Sequence, residues 1–303
     1  MTPELSRRAL LMSAGATLYT GRGAAEPEQE PFEVLDLELR GETRGTRRAL
    51  VLVPRGAPEG SRLPIGVLLH GLGETRSEAL GVQAWLKPYG LGSAWRRLQS
   101  PPIANQSEQY WSEPELTRWN ASLARWPFQG FVVVCPYMPN PYGKGSAAFA
   151  LSLYSDWLVG TLLPAVRERV RSTAADSPVA IAGVSLGGFA AVEVFLRKPA
   201  AFAALGSIQG AFSLAMAQSY ARRIAEAAAQ RPAATPVYVA TSTLDPYRAA
   251  GERLAAELTA RGVAARLSLR RGPHSQGWLR EVGSLEVLAI YDGVLRGRLD
   301  TGA

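Results

Sequence analysis

A serine between two glycines, placed directly after a short apolar run, constrains the fold of this chain more than any other feature. The run at 178–182 (PVAIA) predicts a buried strand, and residues 187–196 predict a helix that leaves it. The connecting turn at 183–187 (GVSLG) has glycines that permit a tight bend and close backbone approach. A serine on such a turn is strained and exposed, so Ser185 is a candidate nucleophile, with a simple capping serine as the alternative.

The chain contains only two histidines, His70 and His274. His274 follows a strand-like stretch at 264–270 and precedes a C-terminal helical pattern, downstream of Ser185. Imidazole can take and return a proton near neutral pH, which is what a serine nucleophile needs from its base. His274 is therefore the candidate base, and a surface-loop histidine is the alternative.

Asp245 follows the predicted strand at 235–243, at its carboxyl end. Open α/β sheets place functional groups beyond the carboxyl ends of their strands, so an acid here could orient the His274 imidazole. The alternative is an Asp-Pro turn that merely starts the next helix. The other acids between Ser185 and His274 fall in helical patterns; they are Glu193, Glu226, Glu252 and Glu257.

The other histidine opens the loop His70-Gly71-Leu72-Gly73, which follows an apolar strand at 63–69. Acyl transfer builds negative charge on an oxygen, and two backbone N–H groups aimed at that oxygen stabilise it. We expect these donors to be Leu72 N–H and Leu186 N–H. His70, Gly71 and Gly73 would then support this oxyanion loop, and a plain glycine turn is the alternative.

Together these motifs resemble the α/β-hydrolase superfamily. Within it, residues 187–191 (GGFAA) and the stretch 195–203 are similar to the group that includes esterase D, feruloyl esterase and antigen 85-type proteins. The resemblance covers roughly residues 46 to 295 and implies hydrolysis or transfer of carboxylic esters without a metal or organic cofactor. The implied partner is a small-molecule or polymer-linked ester, and the oligomeric state stays open.

Alternation of apolar strands with helical patterns predicts a mostly parallel central sheet flanked by helices. The resemblance implies that this sheet has the α/β-hydrolase fold. The segment 32–39 alternates apolar and acidic residues, and 46–53 alternates less cleanly; together they predict an antiparallel pair at the sheet edge. Further strands are expected before His70, at 131–135, before Ser185, and at 203–208, 236–242 and 264–270, with helices at 148–171, 186–198, 213–230, 247–261 and 277–296.

The connection at 81–128 is too long for a simple crossover and carries five of the seven tryptophans. We expect an insertion beside the active site. Trp111 and Trp119, with Trp278 near His274, are candidates for lining a substrate cleft, where indoles could stack on a sugar or phenolic ring. The alternative is that these tryptophans pack the insertion onto the body.

Residues 1–25 contain twin arginines, a short mild apolar run and small residues, which resembles a bacterial twin-arginine export signal. We therefore expect a periplasmic or secreted protein with one domain at 26–303. No stretch has the roughly 18 apolar residues of a membrane span, so no transmembrane anchor is expected. The single cysteine, Cys135, excludes an intramolecular disulfide and is expected to be buried.

The formal net charge is +7, but basic residues occur as pairs rather than dense stripes, which argues against nucleic-acid binding. The interpretation is a serine ester hydrolase that uses a Ser-His-Asp triad. Three alternatives remain: an acyltransferase that uses the same residues, a peptidase of the same fold, and a non-catalytic envelope binding protein.

Overall fold

The computed structural model describes residues 30–40, 46–106, 110–143 and 145–298. Its centre is one eight-stranded sheet with the strand order β1-β2-β4-β3-β5-β6-β7-β8. The strands are β1 (Phe32–Arg40), β2 (Thr46–Pro54), β3 (Ile65–Leu69), β4 (Val132–Pro136), β5 (Val179–Gly183), β6 (Ala204–Ile208), β7 (Val237–Leu244) and β8 (Ala265–Pro273).

The first two strands form the predicted antiparallel pair at one edge, and β2 also pairs antiparallel with β4. The other neighbours in the sheet are parallel. Parallel strands must be joined by crossovers, which bring helices to both faces of the sheet and bury it. This explains why every residue of β3, β4, β5 and β6 is buried, and why Ser207 on β6 is the one side chain with a hydroxyl among them.

Ten α-helices lie among the described residues around this sheet, with short 3-10 helices at Gly73–Arg76 and Pro199–Ala201. The α-helices are α1 (Glu78–Gln83), α2 (Leu91–Gln99), α3 (Glu113–Arg125), α4 (Ala147–Trp157), α5 (Leu163–Arg169), α6 (Leu186–Arg197), α7 (Leu214–Ala229), α8 (Arg248–Ala260), α9 (Gln276–Trp278) and α10 (Ser284–Val294). Single π-helical turns at Leu158–Leu162 and Leu279–Gly283 join α4 to α5 and α9 to α10.

Alternate residues of the central strands point into two separate cores. On β3, Val67 and Leu69 pack into the core with α4 to α8, whereas Leu68 packs on the opposite face with α2, α3 and α10. Cys135 lies in the second core as a buried free thiol, and burial strongly raises its pKa. All the parallel strands end at the same edge of the sheet, which places the loops after β3, β5, β7 and β8 together.

The segment between β3 and β4 contains α1, α2 and α3, and it packs against the second core. Trp111 and Trp119 are 3% and 2% exposed and contact each other edge to face at 5.5 Å. Trp278 is fully buried, and its Nε1 donates to the carbonyl of Arg271. The expectation that these three indoles line an open substrate cleft is therefore wrong, because packing onto the body has buried their rings.

A buried charged network attaches this insertion to the body. Arg270 on β8 donates to Glu115 of α3 and to Glu286 of α10, both at 2.8 Å. The same guanidinium lies 5.0 Å from the centroid of the Trp111 ring. Glu286 is fully buried and also accepts hydrogen bonds from Tyr238 and Ser268. Because each charge in the network is paired, the cost of burying it is largely offset.

One helical stretch, Ala147–Arg169, has the length and the apolar composition that a membrane-spanning helix would need. Its residues Leu151, Leu158, Leu162 and Val166 are buried in the first core, as expected for the core helix of a folded domain. The predicted export signal at 1–25 lies outside the described residues.

Candidate active site

Ser185 occupies the sharp turn between β5 and α6 with a backbone conformation of φ 55° and ψ −116°. Positive φ is unfavourable for a residue with a side chain, so surrounding contacts must hold it. A Cβ on Gly183 would lie 2.3 Å from the backbone of Gly187, and one on Gly187 would lie 2.4 Å from the Leu69 carbonyl oxygen. Only glycine fits at both positions, which allows the strained turn to form.

The neighbouring strand β6 holds the backbone of Ser185 in place. The Ser185 N–H donates to the Ile208 carbonyl at 2.9 Å, and the Ser185 carbonyl accepts from Phe189 N–H and Ala211 N–H. The residues on either side, Val184 and Leu186, are buried, while Ser185 is partly exposed. The backbone is therefore fixed while the hydroxyl remains reachable from solvent.

Leu186 is the first residue of α6, so its N–H has no acceptor within the helix. The positive end of the helix dipole lies at the same place and favours a negative charge. Leu186 N–H therefore stays a candidate oxyanion donor.

Asp245 and His274 are in direct contact, although they lie on different loops. His274 Nδ1 is 2.9 Å from Asp245 Oδ1, and the Asp245 side chain is fully buried. Thr241 Oγ1 donates to Asp245 Oδ2 at 2.7 Å, and Tyr247 N–H donates to Oδ1 at 3.0 Å. A carboxylate can only accept, so Nδ1 carries the imidazole proton and Nε2 is left with its lone pair.

The Asp245 carboxyl remains ionised despite its burial. Burial alone would raise its pKa, but the hydrogen bonds from His274, Thr241 and Tyr247 N–H outweigh this effect and lower the pKa below its usual value. An ionised acid at this position orients the imidazole and can stabilise it when it becomes charged.

The His274 side chain is one quarter exposed, and its ring contacts Tyr247 edge to face at 5.7 Å between centroids. Among the described residues, no hydrogen bond joins the Ser185 hydroxyl to His274. Contacts of this kind are often long without substrate and tighten when the substrate binds.

The loop after β3 lies against the serine turn. A Cβ on Gly71 would be 3.8 Å from Cβ of Ser185, so the loop approaches the nucleophile at the residue before Leu72. Gly71 N–H donates to the Tyr89 hydroxyl, which donates to Glu74 Oε2 at 2.7 Å. The other Glu74 oxygen accepts from Gln276 at 3.1 Å, so this carboxylate connects the oxyanion loop with the His274 loop.

His70 is fully buried and braces the same loop. Its Nδ1 is 2.9 Å from the Gly71 carbonyl, and its Nε2 accepts from Met138 N–H at 2.9 Å. These partners require the neutral form that carries its proton on Nδ1, since protonation of Nε2 would break the bond to Met138. Burial lowers the pKa of His70, against the opposing effects of the Gly71 carbonyl and Glu74.

Burial of neutral His70 predicts acid sensitivity of the fold. The unfolded histidine has a pKa near 6.5, so the stabilisation is fully present above about pH 6.5 and is lost as pH falls through the lower pKa of the folded state. In urea unfolding at several pH values, the free energy of unfolding of wild type should fall faster below pH 6.5 than that of His70→Gln. The difference should not exceed about 1.4 kcal/mol per pH unit. Parallel curves would show that His70 does not titrate on unfolding.

Several residues at this site were not identified from the sequence. Thr241 lies within β7 and Tyr89 in the turn between α1 and α2, and their contacts become visible only when distant segments meet. Gln209, after β6, is buried and donates to the Ser242 hydroxyl and the Pro273 carbonyl. In the sequence, the only sign of this role is that a single amide side chain directly follows the predicted strand at 203–208. Among the described residues, no group of three or more histidine, cysteine or acidic side chains could hold a metal ion.

Comparison with known proteins gives a match in structure but none in sequence. No family model matches the chain, and no curated protein matches its sequence. A ferulic acid esterase superposes with a TM-score of 0.63 at 15% identity, covering 88% of this chain and 98% of its own. A mutant feruloyl esterase module from Clostridium thermocellum, complexed with sinapinate, has a TM-score of 0.59 at 17% identity and covers 89% of each chain.

S-formylglutathione hydrolase from Staphylococcus aureus is also similar, with a TM-score of 0.52 at 14% identity, covering 86% of this chain and 97% of its own. These neighbours are esterases and hydrolases of the α/β-hydrolase class. The mostly parallel eight-stranded sheet and its helices therefore have the α/β-hydrolase fold, as the sequence predicted.

Proposed function

We propose that this chain is a serine hydrolase of carboxylic esters that acts through Ser185, His274 and Asp245. The observation that supports this most is the 2.9 Å contact between His274 Nδ1 and a buried, ionised Asp245. The positive φ of Ser185 adds to it. Backbone strain and a buried carboxylate both cost stability, and such costs are characteristic of functional sites.

The reaction proceeds in two acyl transfers. His274 Nε2 takes the proton of the Ser185 hydroxyl as Oγ bonds to the ester carbonyl carbon, and the carbonyl oxygen becomes an oxyanion. The N–H groups of Leu72 and Leu186 stabilise that oxygen. His274 then protonates the departing alcohol, and the acyl group remains on Ser185.

Water completes the cycle by the same route. His274 removes a proton from a water molecule that attacks the acyl carbon, and then returns the proton to Ser185 Oγ as the acid leaves. Asp245 keeps the imidazole oriented throughout and stabilises its charged form. Each proton taken by His274 is given back, so no cofactor is required for balance.

The esterases among the structural neighbours support an ester as the substrate class. Apolar side chains near the proposed triad support an ester with an apolar part. Leu72, beside the oxyanion turn, is 54% exposed, and Leu244, next to Asp245, is 73% exposed. Large apolar side chains left in water at a catalytic edge can gain contact with an apolar part of a substrate, at about 0.8 kcal/mol per buried methylene.

Hydrolysis of p-nitrophenyl esters from acetate to octanoate by residues 26–303 tests this proposal. We expect turnover with kcat/KM rising several-fold from acetate to butyrate, because each added methylene can contact the exposed leucines. The chain length at which kcat/KM stops rising measures the size of the acyl site.

The matched control is the double variant Leu72→Ser/Leu244→Ser, which should flatten the chain-length profile while leaving acetate hydrolysis measurable. Products analysed with added methanol separate hydrolysis from transfer, since a transferase would form the methyl ester in preference to the acid. Absence of any turnover by a folded chain would contradict the proposal.

A further inference from the structure

Gln209 is linked by hydrogen bonds or by its place in the chain to a neighbour of each member of the proposed triad. It follows Ile208, whose carbonyl accepts from Ser185 N–H at 2.9 Å. Its side-chain Nε2 donates to the Ser242 hydroxyl at 2.7 Å and to the Pro273 carbonyl at 3.1 Å. Pro273 directly precedes His274, and the Ser242 carbonyl accepts from Asp245 N–H at 3.1 Å. One buried amide therefore bridges the strand of the acid and the loop of the base.

The orientation of this amide is set by its partners. The Pro273 carbonyl can only accept a hydrogen bond, so the nitrogen and not the oxygen of the amide must face it. Oε1 is then turned away, buried and without a hydrogen-bond partner among the described residues. A buried acceptor left unpaired is unfavourable, and in native proteins it calls for an explanation.

The backbone of Gln209 is also unfavourable. Its φ is +47°, one of three positive values at non-glycine residues in the described part of the chain, and another of the three is Ser185. Glycine would adopt this conformation without the steric cost that Gln209 carries. A residue that is both strained and partly unsatisfied is poorly explained by stability alone.

We propose that Gln209 is a positioning residue that holds the His274 loop at the distance from β7 where the imidazole meets Asp245. The proposal rests on the proposed triad, and it assigns Gln209 no contact with substrate. The two Nε2 bonds join Ser242 to Pro273. Without them β8 still pairs with β7, up to Leu244 and Pro273, but the residue before His274 loses its side-chain link to the strand that carries the acid.

The test replaces Gln209 with methionine, which keeps the length and the positive-φ cost of the side chain but cannot donate. We expect kcat for p-nitrophenyl butyrate to fall about 10- to 100-fold with KM changed less than about threefold, because misplacement of a catalytic group by an ångström costs about this much. The rate of Ser185 labelling by a fluorophosphonate should fall in parallel.

A destabilised control separates positioning from stability. Leu258 is fully buried on α8, where it packs in the first core, and Leu258→Ala should lower the unfolding temperature without changing kcat well below it. If Gln209→Met behaves like Leu258→Ala, with a lower unfolding temperature but wild-type kcat, the inference is overturned.

A double-mutant cycle with Asp245→Asn gives the sharpest result. If Gln209 acts through the contact between Asp245 and His274, the double variant should lose less than the product of the two single losses. If the loss of kcat in the double variant equals the product of the two single losses, the inference is overturned. If Gln209→Met does not fold, Ser242→Ala enters the same cycle, with a smaller expected loss of about three- to tenfold.

Failure of the proposed function is distinguished by the wild type. An inactive wild-type chain overturns the esterase proposal and this inference together. An active wild type, with Gln209→Met unchanged in kcat, overturns this inference alone.

Discussion

Replacing Ser185 with alanine is expected to reduce ester hydrolysis on the order of 10⁴-fold or more, because the nucleophile that carries the acyl group is removed. The variant should also lose covalent labelling by a fluorophosphonate, which detects the reactive hydroxyl independently of turnover. The fold should persist, since Ser185 is held through its backbone bonds to Ile208, Phe189 and Ala211 rather than through its hydroxyl. Turnover, labelling and circular dichroism measured on one preparation check all three expectations.

A matched serine variant shows whether the loss is specific. Ser172 is buried with an unpaired hydroxyl, and its carbonyl accepts from Leu63 N–H before β3 begins, so it lies at the opposite end of the sheet. Ser172→Ala should retain wild-type hydrolysis. Near-normal activity in Ser185→Ala would mean that another group is the nucleophile and that the triad assignment is wrong.

Replacing His274 with alanine should cost about as much as the serine variant, because no other histidine among the described residues can take the proton from Ser185. His70, the second histidine, is buried and fully occupied by Gly71 and Met138. The free energy of unfolding should fall by about 1 to 3 kcal/mol, since Asp245 loses one of its charged hydrogen bonds.

Free imidazole provides a control within the His274→Ala variant. The His274 side chain is one quarter exposed, so its removal opens a space that solvent can reach beside Asp245. Partial recovery of hydrolysis with added imidazole, and none in Ser185→Ala, would support a base at this position. Equal activity of His274→Ala and wild type would contradict the assignment.

Asp245→Asn should lose less hydrolytic activity than Ser185→Ala or His274→Ala, about 10²- to 10⁴-fold, because it disturbs the orientation of the imidazole and not the base itself.

The strands of the sheet could be predicted because each has a characteristic pattern of apolar residues within its own short segment of sequence. The buried strands β3, β4 and β5 are uninterrupted apolar runs, and the edge strand β1 alternates apolar and polar residues, so both patterns are visible within a few residues. Ser185, Asp245 and His274 could be proposed for a similar reason. Each follows a predicted strand, and parallel strands bring their carboxyl ends to one edge.

The tryptophans were misassigned because the amino-acid composition of a segment does not show which way its side chains point. An indole on a helix can face a core or a cleft, and helical spacing is the same in both cases. The ring of Trp111 is buried against Trp119 and Arg270, and Arg270 belongs to a strand far along the chain. The sequence could place an insertion at 81–128 but could not tell which of its faces would be covered.

The sequence by itself determined the order of the strands along the chain, the strained serine turn with its two required glycines, and the chemical types of the candidate triad. Only the tertiary structure decided that His274 Nδ1 meets Asp245, that Glu74 connects two loops, and that Gln209 bridges the acid and the base. The reason is physical. Strand propensity and turn conformation depend on neighbours in the chain, whereas a hydrogen bond between distant loops depends on positions set by the packing of the whole sheet.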